Sequence, residues 1–243
     1  MNFKRLMVGS LIGAATLTSS AAFAGGSGNV GVTSEYFFRG LAQSGGAAVN
    51  GGLDYASDSG FYAGTWASTI NFASAEGSGA EVDFYAGFGG EAGSIAYDLG
   101  AIYYLYSEEE EADADPDPSN NTFEVYGSLG FGPLTLGLAY SLADYFALTD
   151  EEVIYYYADA SFPVGEKVSL DLHVGMTSFD DDVALNPTGD LGADPTIDEY
   201  VDYSVGLSVS LESGFSPSFA LVGTDLDGDD LQAVVSLGYG FDL

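Results

Sequence analysis

Apolar and polar residues alternate along most of the chain after residue 24, in segments of about ten residues separated by turn-forming residues. The last segment shows the pattern clearly, because Val235, Leu237, Tyr239, Phe241 and Leu243 alternate with serine, glycine and aspartate. A period of two places alternate side chains on opposite faces of a β-strand. Repeated ten-residue segments of this kind are typical of membrane-spanning β-barrels.

The pattern predicts about twelve strands, an even number, as in bacterial single-chain barrels. The predicted strands cover residues 29–39, 47–56, 60–70, 80–88, 94–106, 122–131, 134–145, 153–162, 167–179, 200–211, 218–224 and 231–243. Short connections (57–59, 89–93, 132–133, 163–166, 212–215) alternate with longer or more polar ones (40–46, 71–79, 107–121, 146–152, 180–199, 225–230). This alternation is expected for an all-β, antiparallel, up-and-down barrel with short periplasmic turns and long outer loops.

The start of the chain has the features of a signal peptide. Lys4 and Arg5 precede an apolar stretch over residues 6–17, and the Ala22-Phe23-Ala24 sequence supplies small residues for cleavage after Ala24. The apolar stretch is short for a helix that spans a bilayer, which needs ~20 residues. We therefore expect residues 1–24 to be removed on export and residues 25–243 to form one outer-membrane barrel domain in a Gram-negative bacterium.

The alternation also assigns faces to the strands, because a charge that faces lipid is costly. The apolar residues Leu53, Val82, Phe84, Leu99, Tyr103, Leu170, Leu172, Val205, Leu207 and Val209 are predicted to face outward. The polar set is predicted to line the lumen: Asp54, Glu81, Asp83, Asp98, Glu124, Asp159, Asp171, His173 and Asp202. Tyrosine and phenylalanine clusters at residues 36–38, 103–104 and 155–157 suit an interfacial aromatic girdle, although such residues are also good strand formers.

Charge narrows the choice of function. The chain has 37 acidic and 4 basic residues, and after loss of Lys4 and Arg5 only Arg39 and Lys167 remain as cations, a net charge of −35. Nucleic-acid binding needs basic surface and is excluded. An acidic lumen would concentrate cations and repel anions. Arg39, predicted on a strand near the first outer loop, either pairs with lumen carboxylates or marks a constriction.

Metal and catalytic chemistry find little support in the sequence. The chain has no cysteine, so it carries no disulfide and no thiol-based metal site. Acidic loops, such as residues 225–230, either form a solvated surface or bind divalent cations such as Ca²⁺. His173 is the chain's single histidine, and no G-x-S-x-G element accompanies it. We expect no enzyme activity and no cofactor.

Several motifs carry a family resemblance, most specifically between Ser34 and Gly87. They are Ser34-x-Tyr36-x-Phe38-Arg39-Gly40-x-x-Gln43-Ser44, then Gly51-Gly52-Leu53-Asp54-Tyr55, Gly60-Phe61-Tyr62-Ala63-Gly64-x-Trp66-Ala67-Ser68 and Glu81-Val82-Asp83-x-Tyr85-Ala86-Gly87. Tyr97-Asp98-x-Gly100, Tyr103-Tyr104-x-Tyr106 and Glu124-Val125-Tyr126-Gly127 continue the similarity. The chain resembles the TorF family of proteobacterial outer-membrane proteins. The resemblance implies an outer-membrane barrel and suggests a pore, without a known substrate.

Two functions therefore remain open. The first is a porin for passive diffusion of small cationic or neutral solutes, selected by the lumen carboxylates. The second is a plugged barrel with a structural or surface-binding role, whose acidic loops touch cations. In both cases the expected partners are outer-membrane lipid and the outer-membrane assembly machinery, which recognises an amphipathic last strand. For the porin, small solutes are a further expected partner.

Overall fold

The computed structural model shows a closed antiparallel β-barrel of twelve strands. It describes residues 25–71, 79–107, 121–142, 145–146, 148, 151–185 and 191–243, with only the backbone of residues 191–195. The expected signal peptide (1–24) and much of the acidic connection at 107–121 lie outside these residues. Among the described residues, no helix is long and apolar enough to cross a membrane.

Fourteen strands are present in the described chain. Twelve form the barrel: β1 Gly25–Thr33, β4 Ala48–Ala56, β5 Phe61–Ile70, β6 Gly79–Ala92, β7 Ile95–Ser107, β8 Thr122–Phe131, β9 Leu134–Ser141, β10 Val153–Pro163, β11 Val168–Leu185, β12 Leu191–Val209, β13 Phe215–Thr224 and β14 Gln232–Asp242. The other two, β2 Phe37–Phe38 and β3 Leu41–Ala42, pair only with each other.

Each barrel strand pairs with its sequence neighbours, and the barrel closes where β1 pairs with β14. The closing register runs from Ser27 opposite Asp242 to Thr33 opposite Ser236, while β1 also pairs with β4 from Gly25 opposite Ala56 to Thr33 opposite Ala48. The predicted twelve-stranded, up-and-down antiparallel barrel is confirmed. We call the end that carries Gly25 and Leu243 the turn end, and the opposite end the loop end.

The two faces of the wall differ as the period-two pattern requires. Large apolar side chains on the outer face are exposed, among them Leu53, Phe84, Leu99, Tyr103, Leu172, Val205 and Leu207. On the inner face, alternate positions are buried or half-buried. A contiguous exposed apolar surface of this kind is unusual for a protein surrounded by water.

The prediction for the first strand is wrong over the second half of its range. It was expected to cover residues 29–39, but β1 ends at Thr33 and the chain then turns inward. Tyr36, Phe37 and Phe38 are buried, so they form no part of an exposed aromatic girdle. In the other two clusters, Tyr104 and Tyr155 are buried, and only Tyr103 and Tyr156 are exposed. Alternation along a strand, rather than a girdle, decides the position of these rings.

The predicted long acidic connection at residues 180–199 is also wrong in part. β11 continues to Leu185 and β12 begins at Leu191. The pairing of the two strands shifts register between Ser178 and Val183 and again between Ala184 and Leu185. Because Asp180, Asp181 and Asp182 interrupt the alternation, the extended hairpin has no clear signal in the sequence.

Tyrosine rings cover glycines on the inner wall. At four inward glycines an added Cβ would collide with the tyrosine directly opposite on the neighbouring strand, in the pairs Gly64–Tyr85, Gly87–Tyr62, Gly100–Tyr126 and Gly137–Tyr157. A Cβ added at Gly137 would lie 2.2 Å from the Tyr157 ring, and one at Gly100 would lie 2.4 Å from the Tyr126 hydroxyl oxygen. The missing side chain therefore provides the space in which the neighbouring ring lies against the wall.

This packing predicts different outcomes for two inward glycines. Gly137→Ala should lower the free energy of unfolding by about 1–3 kcal/mol, because the Tyr157 ring has to move. Gly240→Ala is the matched control, since a Cβ there meets nothing within 4 Å. Urea unfolding of both refolded variants measures the difference. Equal stabilities would show that the rings do not depend on the glycines.

Candidate functional site

Residues 34–47 fold into the barrel from the loop end, and we call this segment the inner hairpin. It contains β2 and β3, paired through Phe37–Ala42 and Phe38–Leu41. Arg39 and Gly40 form the turn, with φ angles of 47° and 79°. Positive φ at both central residues is typical of a type I′ turn, which joins two strands with two residues. Arg39 takes a conformation that residues other than glycine seldom adopt.

The inner hairpin fills the loop-end half of the lumen. Every barrel strand contributes at least one buried inward side chain at this level: Thr33, Ala48, Ser68, Glu81, Tyr104, Glu124, Ser141, Val153, Thr177, Tyr200, Val222 and Val234. We call this ring the sealed layer. Side chains that line an open aqueous pore keep surface in contact with water. Since these side chains do not, the lumen is closed at this level.

Contacts on several sides fix the inner hairpin in the lumen. The Tyr36 hydroxyl donates to Oε1 of Glu81 at 2.7 Å. Phe37 packs among Ala220, Val222 and Val234. At the tip, a Cβ added to Gly40 would lie 2.7 Å from Cβ of Asp202, so only glycine fits there. The inner hairpin thus spans the lumen from β6 to β13 and β14.

The most buried ion pair of the described chain lies at the tip of the inner hairpin. Nη2 of Arg39 donates to both carboxylate oxygens of Glu124, each at 2.8 Å, with the side chains 2% and 1% exposed. Nη1 donates to the Tyr145 hydroxyl at 3.2 Å, and the Tyr104 hydroxyl donates to Glu124 at 3.2 Å. The guanidinium carbon lies 4.3 Å from the centre of the Tyr155 ring, close enough for a cation–π interaction.

The contacts of the inner hairpin shift the pKa values of its Arg39 and Tyr36 side chains. Burial acts to lower the pKa of the Arg39 guanidinium, but Glu124 together with Tyr145, Tyr104 and Tyr155 raises it by more, so the pKa lies above its ordinary value. Burial, with Glu81 and Asp83 nearby, also raises the pKa of the Tyr36 hydroxyl. Both groups therefore remain hydrogen-bond donors at any physiological pH. They are the donors with which the inner hairpin holds two wall carboxylates.

The predicted lumen carboxylates lie on the inner wall in two groups. The first group lies at or next to the sealed layer, beside the inner hairpin, and consists of Glu81, Asp83 and Glu124. Glu81 also accepts a hydrogen bond from the Tyr106 hydroxyl at 2.6 Å. Oδ1 of Asp83 is buried without a hydrogen-bond partner among the described residues. Of these three buried carboxylates, Glu124 is the one paired with Arg39, and a buried polar atom without a partner is costly.

The second group lies nearer the turn end and is paired largely with hydroxyl groups. The Tyr85 hydroxyl donates to Asp54 at 2.5 Å, and the Tyr62 hydroxyl donates to Asp98 at 2.7 Å. Asp171 accepts from Ser161 at 2.7 Å and from Ser208 at 2.6 Å. Among the described residues, these three carboxylates are thus hydrogen-bonded to hydroxyl groups rather than paired with a cation.

His173 links two of the predicted carboxylates. Its Nδ1 lies 2.7 Å from Asp159 and its Nε2 lies 2.8 Å from Asp202. An imidazolium satisfies both contacts by donating from each nitrogen. Nε2 also lies 2.9 Å from the Tyr155 hydroxyl. The partners of His173 in the described chain thus include no serine that it could activate as a nucleophile.

Arg39 lies on a turn rather than on a strand, which corrects the sequence-based placement. Of the two expectations for it, pairing with a lumen carboxylate is what the geometry shows, with Glu124 as partner. Sequence reasoning missed the inner hairpin as well as Tyr104, Tyr145 and Tyr155. The available signal was the aromatic Tyr36-Phe37-Phe38 segment directly before Arg39-Gly40, although Asn-Gly or Asp-Gly is the usual type I′ turn sequence.

Two of the four aspartates in the acidic loop at residues 225–230 form hydrogen bonds within the protein. Asp225 accepts from the Val201 backbone N–H at 2.7 Å, and Asp229 accepts from the Thr224 backbone N–H and hydroxyl. Within the described ranges, no three His, Cys, Asp or Glu side chains are grouped so that they could hold a metal ion. Much of the acidic segment at 107–121 lies outside those ranges.

A double-mutant cycle should separate the buried ion pair from a surface pair. Breaking Arg39–Glu124 with Arg39→Met leaves a buried carboxylate unpaired, and we expect a loss of about 3–5 kcal/mol in the free energy of unfolding, mostly recovered in Arg39→Met/Glu124→Leu. Lys167–Glu212 is the control, because it is 3.7 Å apart with side chains 47% and 93% exposed. Its coupling energy should be below about 1 kcal/mol. Similar coupling energies for both pairs would contradict the structural role of Arg39.

The barrel is similar to solved structures of porins. The KdgM porin matches with a TM-score of 0.53 and 9% sequence identity, over 89% of this chain and 99% of its own. The NanC porin matches with a TM-score of 0.53 and 11% identity, over 90% of this chain and 100% of its own. A further structure, of KdgM in complex with disordered oligogalacturonate, matches with a TM-score of 0.53 and 8% identity over 90% of this chain and 99% of its own. At such identities the similarity shows a shared fold alone.

The sequence itself matches a family of bacterial proteins. No curated protein matches it. Residues 15–238 match the family model described as bacterial protein of unknown function (Gcw_chp). The TorF name suggested by the motifs is not the name of this family model and stays a resemblance. Because the match covers most of its length, the chain belongs to the Gcw_chp family.

Proposed function

We propose that the protein is an outer-membrane porin for small cationic or neutral solutes. The observation that carries this proposal is the excess of acidic over basic side chains on the inner wall. Eight carboxylates lie on it (Asp54, Glu81, Asp83, Asp98, Glu124, Asp159, Asp171, Asp202), and Arg39 and His173 are the cationic groups paired with them in the described chain. A lumen with this balance attracts cations and repels anions.

The outer face supports the membrane part of the proposal. Exposed leucine, valine or phenylalanine side chains lie on every barrel strand except β5. A closed barrel leaves no unpaired strand edge, which is the condition for β-structure in hydrocarbon. We infer that this face contacts lipid, and that the protein reaches the outer membrane of a Gram-negative bacterium through the signal peptide expected at residues 1–24.

The solute is expected to differ from the ligand of a structural neighbour. KdgM has been solved in complex with oligogalacturonate, which is a polyanion. A wall with eight carboxylates repels a polyanion, so the shared fold does not carry over the ligand. We therefore assign this barrel to cationic or neutral solutes.

The sealed layer requires a movement before any solute passes. As long as the inner hairpin occupies the lumen, the loop-end half is closed. The same observation favours a second candidate function, a permanently plugged barrel with a structural or surface-binding role. The two candidates differ in one respect, which is whether the barrel conducts ions once the inner hairpin is absent.

Removal of the inner hairpin is therefore the decisive test. Thr33 lies opposite Ala48 in the β1–β4 ladder, so Asn-Gly in place of residues 35–46 should close the strand pair with a type I′ turn and keep the register. In planar bilayers under a KCl gradient, we expect this variant to give larger and longer-lived conductance steps than the unmodified protein. The reversal potential should favour K⁺.

Two substitutions test the selectivity in the variant without the hairpin. Asp98→Asn removes an inner-wall charge and should shift the reversal potential toward zero, whereas Asp58→Asn removes an exposed turn charge and should not. A preference for chloride would overturn the cationic solute class. Correctly inserted protein without conductance steps would overturn the porin and favour the plugged barrel.

A further inference from the structure

The surroundings of Arg39 have the features of a binding site that the chain fills with its own side chain. A carboxylate, a hydroxyl oxygen and an aromatic face converge on one guanidinium, from Glu124, Tyr145 and Tyr155. These groups come from three separate parts of the chain, β8, the β9–β10 connection and β10. Glu124 and Tyr155 are almost fully buried. They therefore form a preorganised cage around a planar cation.

We propose that Glu124, Tyr104, Tyr145 and Tyr155 form a binding site for solutes that carry a guanidinium group, and that Arg39 occupies this site while the barrel is closed. A solute takes the site as the inner hairpin leaves it. This inference rests on the proposed porin function, because it names the solute class and the event that opens the lumen.

The geometry shows why a free guanidinium can compete with Arg39. Arg39 contacts both oxygens of Glu124 through Nη2 alone, and its Nε is buried without a partner among the described residues. The stronger arrangement for a guanidinium and a carboxylate is a fork, in which two nitrogens each donate to one oxygen. Arg39 is tethered to the turn of the inner hairpin, and its side chain does not make that arrangement. A solute has no such restraint.

The contacts also favour guanidinium over ammonium. A flat, delocalised cation stacks on a tyrosine face and donates in its own plane, whereas ammonium is a compact and strongly hydrated charge. The guanidinium carbon is 4.3 Å from the Tyr155 ring centre and 5.7 Å from that of Tyr145. Two aromatic neighbours outside the inner hairpin and a carboxylate that accepts from the guanidinium match the planar ion.

The site can be tested separately from conduction. Calorimetric titration of methylguanidinium into refolded Arg39→Ala protein should detect binding at the vacated site. The unmodified protein should bind at least roughly tenfold more weakly, because Arg39 leaves the site free only a small fraction of the time. Arg39→Ala/Glu124→Gln should lose at least about tenfold relative to Arg39→Ala, since the charged acceptor is gone. Methylammonium and K⁺ should bind Arg39→Ala more weakly than methylguanidinium.

Lys167→Ala is the matched control, because it removes the exposed cation and should bind like the unmodified protein. Arg39 takes no part in the barrel ladders, so Arg39→Ala should insert normally, and Arg39→Gln is a second variant of similar length. Equal binding by Arg39→Ala and its Glu124→Gln derivative would overturn the site. Equal affinity for methylammonium would overturn the guanidinium class. If Arg39→Ala binds methylguanidinium but the variant without the hairpin does not conduct ions, only the porin function is wrong. If that variant conducts ions but Arg39→Ala does not bind methylguanidinium, only the binding site is wrong.

Discussion

Closure of the sheet is the constraint on which the rest of the structure depends. β1 pairs with β14 on one side and with β4 on the other, so no strand keeps an unpaired edge. Once the sheet is closed, every second side chain must point into an enclosed space. The outer face can be uniformly apolar, and the inner face collects what cannot face lipid. The position of each carboxylate follows from its parity along a strand.

Inside the barrel, most of these carboxylates have hydrogen-bond partners in the protein. Near the turn end, hydroxyl groups of tyrosine and serine satisfy the carboxylates, and glycines opposite the rings provide the room. Near the loop end, the inner hairpin supplies a tyrosine hydroxyl and a guanidinium. In both halves, enclosed carboxylates receive hydrogen bonds from the protein. Only in the loop-end half do some of the donors belong to a segment that is not part of the wall.

The sequence was sufficient for the wall because each strand obeys one local rule. Parity placed Asp54, Glu81, Asp98 and Glu124 on the inner face, where the structure has them, and alternation gave the strand number. The rule fails where tertiary contacts decide. Residues 34–39 contain the aromatic segment Tyr36-Phe37-Phe38, which locally favours a strand. Tyr36 and Arg39 nevertheless turn inward toward Glu81 and Glu124, which lie more than forty residues away in sequence. No local pattern records those partners.

The pairing of the barrel strands and the closure of the lumen rest on different contacts. The inner hairpin leaves the wall between Thr33 and Ala48, which already pair with each other, so no barrel ladder depends on its position. What holds it is a small set of contacts at Glu81, Glu124 and the apolar patch around Phe37. That set also contains unfavourable features, namely the positive φ of Arg39, its unpaired Nε and the unpaired oxygen of Asp83. The barrel strands are hydrogen-bonded to each other all the way round, whereas the inner hairpin leaves buried polar atoms without partners among the described residues. The inner hairpin can therefore leave the lumen while the barrel keeps its structure.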